Sequence, residues 1–239
     1  MRYPHGYKVA IATGIGGTAG IGWIIGSWIG DPAYAFKASA FFALLTGAVL
    51  NVAGADHPHP QFGAANVVTT IRAMLAAFGA GLIGYPALSG VMWAVIALTT
   101  AMVILDGLDG RLARATGMSS EYGARFDMET DAAFILVLSI LVWQHGKAGV
   151  WVLMCGLMRY VFVAAGWLMP WMAAPLRATL RGRIVAVSQL VGLGVALAPI
   201  VPVPASTVVA GLTLATLTWS FAIDIAWLAR QRQTQCPQE

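Results

Sequence analysis

The sequence predicts an all-α integral membrane protein, a six-helix transmembrane unit preceded by a two-helix transmembrane hairpin. Three observations predict it. Of 239 residues, 59% are hydrophobic and 10% charged, with a mean hydropathy of +0.75, whereas soluble domains carry about 25% charged residues. Apolar stretches of about the 20 residues that cross the hydrocarbon layer recur along the whole chain. The connections between them are short and marked by proline or glycine, as in Gly84-Tyr85-Pro86.

The first expected span, 9–30, contains the run Gly14-Ile15-Gly16-Gly17-Thr18-Ala19-Gly20. Without a preceding strand this is no dinucleotide-binding turn; small residues in a span let helices approach closely. Nor does the span end in a good cleavage site, since Gly30-Asp31-Pro32 follows and further spans come at once. A second span covers 36–54. Then comes the polar, proline-broken Asp56-His57-Pro58-His59-Pro60-Gln61, which divides an N-terminal hairpin, 1–60, from a six-span unit, 61–239. His57 and His59 read as an interfacial loop, because no partner ligands accompany them.

The six later spans are expected at 65–84, 88–105, 131–144, 149–169, 184–199 and 203–228. The span at 131–144 is short because its first turns carry a polar motif. Cys155 and Cys236 have neither metal-ligand spacing nor a plausible disulfide. His145 and Lys147 read as a wet turn, and most of the nine tryptophans read as interface anchors. Eleven of the fourteen Lys and Arg fall on one side if Met1 is cytoplasmic, Arg72, Arg111, Arg114 and Arg125 among them, with Lys37 and Lys147 outside and Arg159 within a span. The positive-inside rule then places both termini in the cytoplasm of a cell (inner) membrane, with the aspartate motif facing the same way.

Six of the ten acidic residues lie between Asp106 and Asp131. Asp106 and Asp109 are spaced i, i+3 and Asp127 and Asp131 i, i+4, so each pair shares a helical face with Cβ atoms about 5–6 Å apart. Glu129, between the second pair, points away at about 100° per residue. Two such faces turned together make a box whose like charges repel in an apolar setting unless cations compensate. An all-oxygen donor set suits Mg²⁺ or Mn²⁺ rather than Zn²⁺. Four carboxylates can hold two ions about 3.5–4 Å apart, the spacing that clamps a phosphate during displacement. Gly110, Ala113 and Gly123 leave room for a ligand, and Arg114 offers a fork to its phosphate oxygens. Gly117 should end the fourth helix of the chain, and Ser119 or Ser120 should cap the fifth.

The stretch resembles the signature of the CDP-alcohol phosphotransferase (phosphatidyltransferase) family, D-x2-D-G-x2-A-R-x8-G-x3-D-x3-D. It matches at Asp106, Asp109, Gly110, Ala113, Arg114, Gly123, Asp127 and Asp131. Asn66, Thr69 and Arg72 resemble the family's upstream Asn, Thr and Arg. The resemblance covers about 61–230 and implies a six-helix core. It further implies that Asp106, Asp109 and Asp127 bind the metals, that Asp131 acts as base while touching a metal, and that Asn66, Thr69, Gly110, Ala113, Arg114 and Gly123 line the CDP site. The implied reaction belongs to phospholipid biosynthesis: transfer of a phosphatidyl group from CDP-diacylglycerol to an acceptor hydroxyl, releasing CMP.

Arg159, an ionisable residue within a span, is a functional candidate by default. With Arg177, Arg181 and Arg183 it suggests a phosphorylated polyol acceptor such as glycerol 3-phosphate or inositol phosphate, because guanidinium forks bind phosphate bidentately. Loop arginines also satisfy the positive-inside rule. Family members using such acceptors often carry G-K-x-K-T here, where this chain reads Gly182-Arg183-Ile184-Val185-Ala186. Asp224 can pair with a cation such as Arg159 or line a polar cavity. Two other readings compete. A prenyltransferase acting on polyprenyl diphosphates would place its Asp-rich motifs far apart in sequence, and an ion-coupled transporter would not need the Gly and Ala-Arg positions. Membrane lipids are expected partners, a homodimer is left open, and nothing points to nucleic acid.

Overall fold

The computed structural model describes residues 7–53, 63–116, 120–174 and 179–235. Among them are eight α-helices and no strand: α1 (Tyr7–Ile29), α2 (Ala33–Ala53), α3 (Ala64–Gly81), α4 (Ser89–Thr116), α5 (Glu121–Gln144), α6 (Leu153–Leu168), α7 (Leu180–Leu197) and α8 (Val203–Gln235). Two 3₁₀ turns, Val150–Val152 and Pro170–Ala173, flank α6. Every expected span is helical, and seven helices are long and apolar enough to cross a membrane. The eighth, α5, carries Asp127, Glu129 and Asp131 in its early turns. The chain is therefore a multi-pass, all-helical protein.

Several helices outrun their apolar stretches. α4 continues past 105 to Thr116, and α5 begins at Glu121 rather than 131. Hydropathy registers only the apolar part of a helix, whereas backbone hydrogen bonding continues through polar turns that lie beyond the hydrocarbon.

The helices group into two compact units, 1–137 and 138–239. In the first, α3 is far more buried than α1, α2 or α4, 61% of it against 22–33%. Its composition explains this. Ala73, Ala76, Ala77, Gly79, Ala80 and Gly81 are all buried, and small side chains let neighbouring helices come close. A Cβ at Gly81 would lie 2.7 Å from the Tyr34 ring, and one at Gly79 would lie 3.1 Å from Phe134. The N-terminal glycines serve the same purpose: Gly14 faces the Phe42 ring of α2, and Gly17 faces Met74 of α3.

Polar contacts fix how α2 meets α3. The buried Tyr34 donates its hydroxyl to the Phe78 carbonyl at 2.8 Å, and Lys37 Nζ donates to the Ile83 carbonyl at 3.2 Å. Asp31 Oδ1 accepts from the Ala33 amide at 2.8 Å, which caps α2. Its other oxygen accepts from the Tyr85 hydroxyl and lies 3.6 Å from Lys37 Nζ. Lys37 also stands 4.9 Å over the Tyr85 ring. The Tyr85 hydroxyl, followed by the Ala33 amide and Lys37, holds the Asp31 carboxyl below its ordinary 3.8.

The second unit overturns the expectation of a wet turn at His145 and Lys147. Lys147 is buried, and its Nζ donates to the carbonyls of Ala198 and Val201 at 2.9 and 2.7 Å. Both acceptors follow the end of α7, where carbonyls lack partners in the helix and a cation is favoured. The Lys147 carbonyl in turn accepts from Ser206 Oγ at 2.6 Å and Thr207 Oγ1 at 3.2 Å. A loop that looks solvated by composition is thus a polar joint. α7 and α8 are also close: Gln189 Nε2 donates to the Thr213 carbonyl at 2.9 Å, and a Cβ at Gly192 would strike Thr213 Oγ1.

Lys147→Met should remove two charge-assisted hydrogen bonds and cost about 2–3 kcal/mol, read as a lower melting temperature in detergent. An unchanged melting temperature would contradict the joint. Asp31 supplies a pH test. A carboxyl whose folded pKa is depressed adds stability above its unfolded value and loses it as pH falls through the folded one. The melting-temperature gap between wild type and Asp31→Asn should therefore be fullest above pH 3.8 and close below it; a gap that persists in acid contradicts the pairing.

Candidate functional site

Within the first unit, three helices bring polar side chains to one place. The buried face of α3 carries Asn66, Thr69 and Arg72. α4 supplies Asp106, and α5 supplies Asp127 and Asp131 one turn apart. One carboxylate oxygen from each of these three aspartates lies within 4.8 Å of the others. Glu129 is not in the group among the described residues, in keeping with its expected direction.

Arg72 is the centre of this arrangement. It is fully buried, whereas the carboxylates keep 17–36% of their surface exposed. Its Nη1 donates to Asp127 Oδ1 and its Nη2 to Asp131 Oδ1, and Nη2 lies 3.3 Å from Asp106 Oδ1. The rigid guanidinium fork presents its donors in a fixed plane, so one side chain can hold several carboxylates in a set geometry. In the sequence Arg72 counts among the cytoplasmic charges and matches the family's upstream Arg, without an assigned role; in the structure its charge is enclosed by carboxylates. The rule that singled out Arg159, an ionisable residue inside a span, would have found it.

The nucleotide-site candidates fall on the same elements. Asp109, Gly110, Ala113 and Arg114 are on the last turns of α4, and Gly123 is in the first turn of α5. Ser120 is the cap of α5, accepting from the Gly123 amide at 3.0 Å; Gly117 and Ser119 lie outside the described residues. A Cβ at Gly123 would stand 2.7 Å from Asn66 Oδ1 and 3.2 Å from Ser120 Oγ, so glycine there is what lets α5 start against Asn66. The Thr69 hydroxyl donates to the Ala65 carbonyl at 3.1 Å, leaving its oxygen able to accept.

Three carboxylates against one guanidinium leave net negative charge in a partly enclosed space. Converging carboxylate oxygens with some solvent access fit a hard divalent cation, so the aspartate triad can hold a metal ion. A family model described as CDP-alcohol phosphatidyltransferase matches residues 62–223. The chain belongs to the CDP-alcohol phosphatidyltransferase family. It is accordingly a transferase of membrane lipid biosynthesis, which favours phosphatidyl transfer over prenyl transfer and ion transport. Searches of curated proteins and of solved structures gave no match.

In this phosphatidyltransferase-family chain the matched stretch runs from just before α3 into α8 and contains every candidate site residue. The second unit holds the candidate acceptor arginines. Arg159 is half-buried on α6, Arg183 is exposed on α7, and Arg177 lies outside the described residues, as do His57 and His59. Arg181, in the first turn of α7, donates to Asp224 on α8. The partner of Asp224, open in sequence, is thus Arg181.

Because the obstacle to a side chain at Gly123 is the end of a movable amide, Gly123→Ala should cost about 1 kcal/mol. In an Asn66→Ala background it should cost less, since the clash is gone. Thermal unfolding of the two single variants and the double variant checks this coupling, and equal losses in both backgrounds would refute it.

Proposed function

We propose that this protein transfers the phosphatidyl group of CDP-diacylglycerol to the hydroxyl of a small alcohol and releases CMP. The observation that carries the reading is the convergence of Asp106, Asp127 and Asp131 around Arg72 in a chain whose 106–131 stretch matches the family signature. Residues 61–239 form the catalytic six-helix unit and 1–60 an added hairpin. The active site faces the cytoplasm from the inner membrane, as the positive-inside distribution supports.

Asp106, Asp109, Asp127 and Asp131 would hold two Mg²⁺ or Mn²⁺ ions, which when bound neutralise the diphosphate and make CMP a better leaving group. Asn66, Thr69, Gly110, Ala113, Arg114 and Gly123 bind and orient the cytidine diphosphate. The diacylglycerol chains remain in the bilayer beside the apolar helix faces. Asp131 takes the proton of the acceptor hydroxyl. The acceptor oxygen then forms a bond to the lipid-linked phosphorus, the bond from that phosphorus to the bridging oxygen breaks, and CMP departs with the electron pair. Arg72, by holding Asp131 Oδ1, keeps the base from rotating away.

Arg159 and Arg183, with Arg177 and Arg181, select a phosphorylated polyol such as glycerol 3-phosphate or inositol phosphate over serine, choline or free inositol. The supporting chemistry is bidentate guanidinium binding of phosphate. The active form can be a homodimer without change to these assignments.

The test is CMP release by purified protein with Mn²⁺ or Mg²⁺, CDP-diacylglycerol and a panel of phosphorylated and free alcohols. Asp131→Asn should lower the rate by about 10²-fold or more, and Arg183→Gln should raise KM for the phosphorylated acceptor more than for the lipid. No CMP release with any acceptor, and Asp131→Asn indistinguishable from wild type, would sink the proposal.

A further inference from the structure

Arg72 lies outside the 106–131 stretch, yet it binds three of the aspartates that stretch contributes. We propose that Arg72 is a built-in countercation that sets how tightly the aspartate site takes a divalent ion. This rests on the reading of those aspartates as the metal site. Arg72 is a positioning residue.

Two effects of opposite sign follow from its placement. The guanidinium is fully buried and occupies Oδ1 of Asp127 and of Asp131 while approaching Oδ1 of Asp106. Without an ion, its charge offsets repulsion among carboxylates whose oxygens lie within 4.8 Å of one another and so favours the packed arrangement of α3, α4 and α5. Toward an arriving cation the same charge is repulsive, and in a partly enclosed site that repulsion is poorly screened. Arg72 reduces the net charge of the three carboxylates from three units to two. The fold is thereby made less dependent on the ion, and the ion is held less tightly and exchanges more readily.

A residue that merely packs would lower stability equally with and without ion. A countercation makes the two conditions diverge. Thermal unfolding of the full-length protein in detergent, titrated with Mn²⁺ from a chelated baseline, separates these cases for wild type, Arg72→Gln and Arg72→Lys. Arg72→Gln should melt below wild type in chelator, gain more on saturation, and reach half its gain at roughly a tenth of the Mn²⁺ or less. Arg72→Lys keeps the charge and should stay close to the wild-type half-saturation.

Arg72→Gln should be prepared with Mn²⁺ present throughout. Failure to fold even then overturns the proposal, since the ion should replace the missing positive charge. An equal or higher Mn²⁺ requirement in Arg72→Gln, with a wild type that does respond, overturns the role of Arg72 alone. A wild type indifferent to Mn²⁺ overturns the metal reading itself and this inference with it.

Discussion

A buried arginine surrounded by aspartates constrains everything near it. In a chain with only 10% charged residues, a guanidinium with no solvent exposure is tolerable only where anions enclose it, and removing one partner of a buried ion pair typically costs about 3–5 kcal/mol. The contact between Arg72 and Asp106, Asp127 and Asp131 therefore fixes the facing of three helices together. α3 must turn its Asn66 and Arg72 face inward, α4 must carry Asp106 to the same depth, and α5 must begin early enough to present Asp127 and Asp131 one turn apart.

The rest of the first unit makes that facing possible. Arg72 can reach its partners because α3 is built from alanine and glycine beyond it, so that Tyr34 and Phe134 pack almost against its backbone. The helix is then held at its far end by the Tyr34 hydroxyl on the Phe78 carbonyl and by Lys37 on the Ile83 carbonyl. α1 and α2, which carry none of the candidate residues, thus contribute to the placement of a helix that does. At the near end, Gly123 allows α5 to start beside Asn66, and Ser120 satisfies the Gly123 amide that a new helix leaves exposed.

Polar residues in the second unit serve structure and site chemistry in different measure. Lys147 and Ser206 join the turn after α5 to the end of α7 and the start of α8 through backbone carbonyls, and a buried ammonium needs such acceptors in an apolar setting. The Arg181–Asp224 pair ties α7 to α8 and leaves a carboxylate beside a candidate phosphate-binding arginine. Such a pair tempers the attraction of Arg181 for an anion, so Arg159 and Arg183 are the stronger candidates for acceptor recognition.

The helical membrane class, the place of each of the eight described helices along the chain and the one-turn spacing of Asp127 and Asp131 are legible in the sequence alone. Each rests on local periodicity and on the energetic demand that a spanning segment satisfy its own backbone. The helical ends of α4 and α5 were less legible, since hydropathy stops where charged residues begin. Three contacts emerge only from helix packing: Arg72 is the counterion of the aspartates, Asp224 belongs to Arg181 and Lys147 is buried. Each of these joins residues more than thirty positions apart. Which of several scarce opposite charges or carbonyls a buried cation meets depends on how the helices pack, and no local pattern in the chain encodes that.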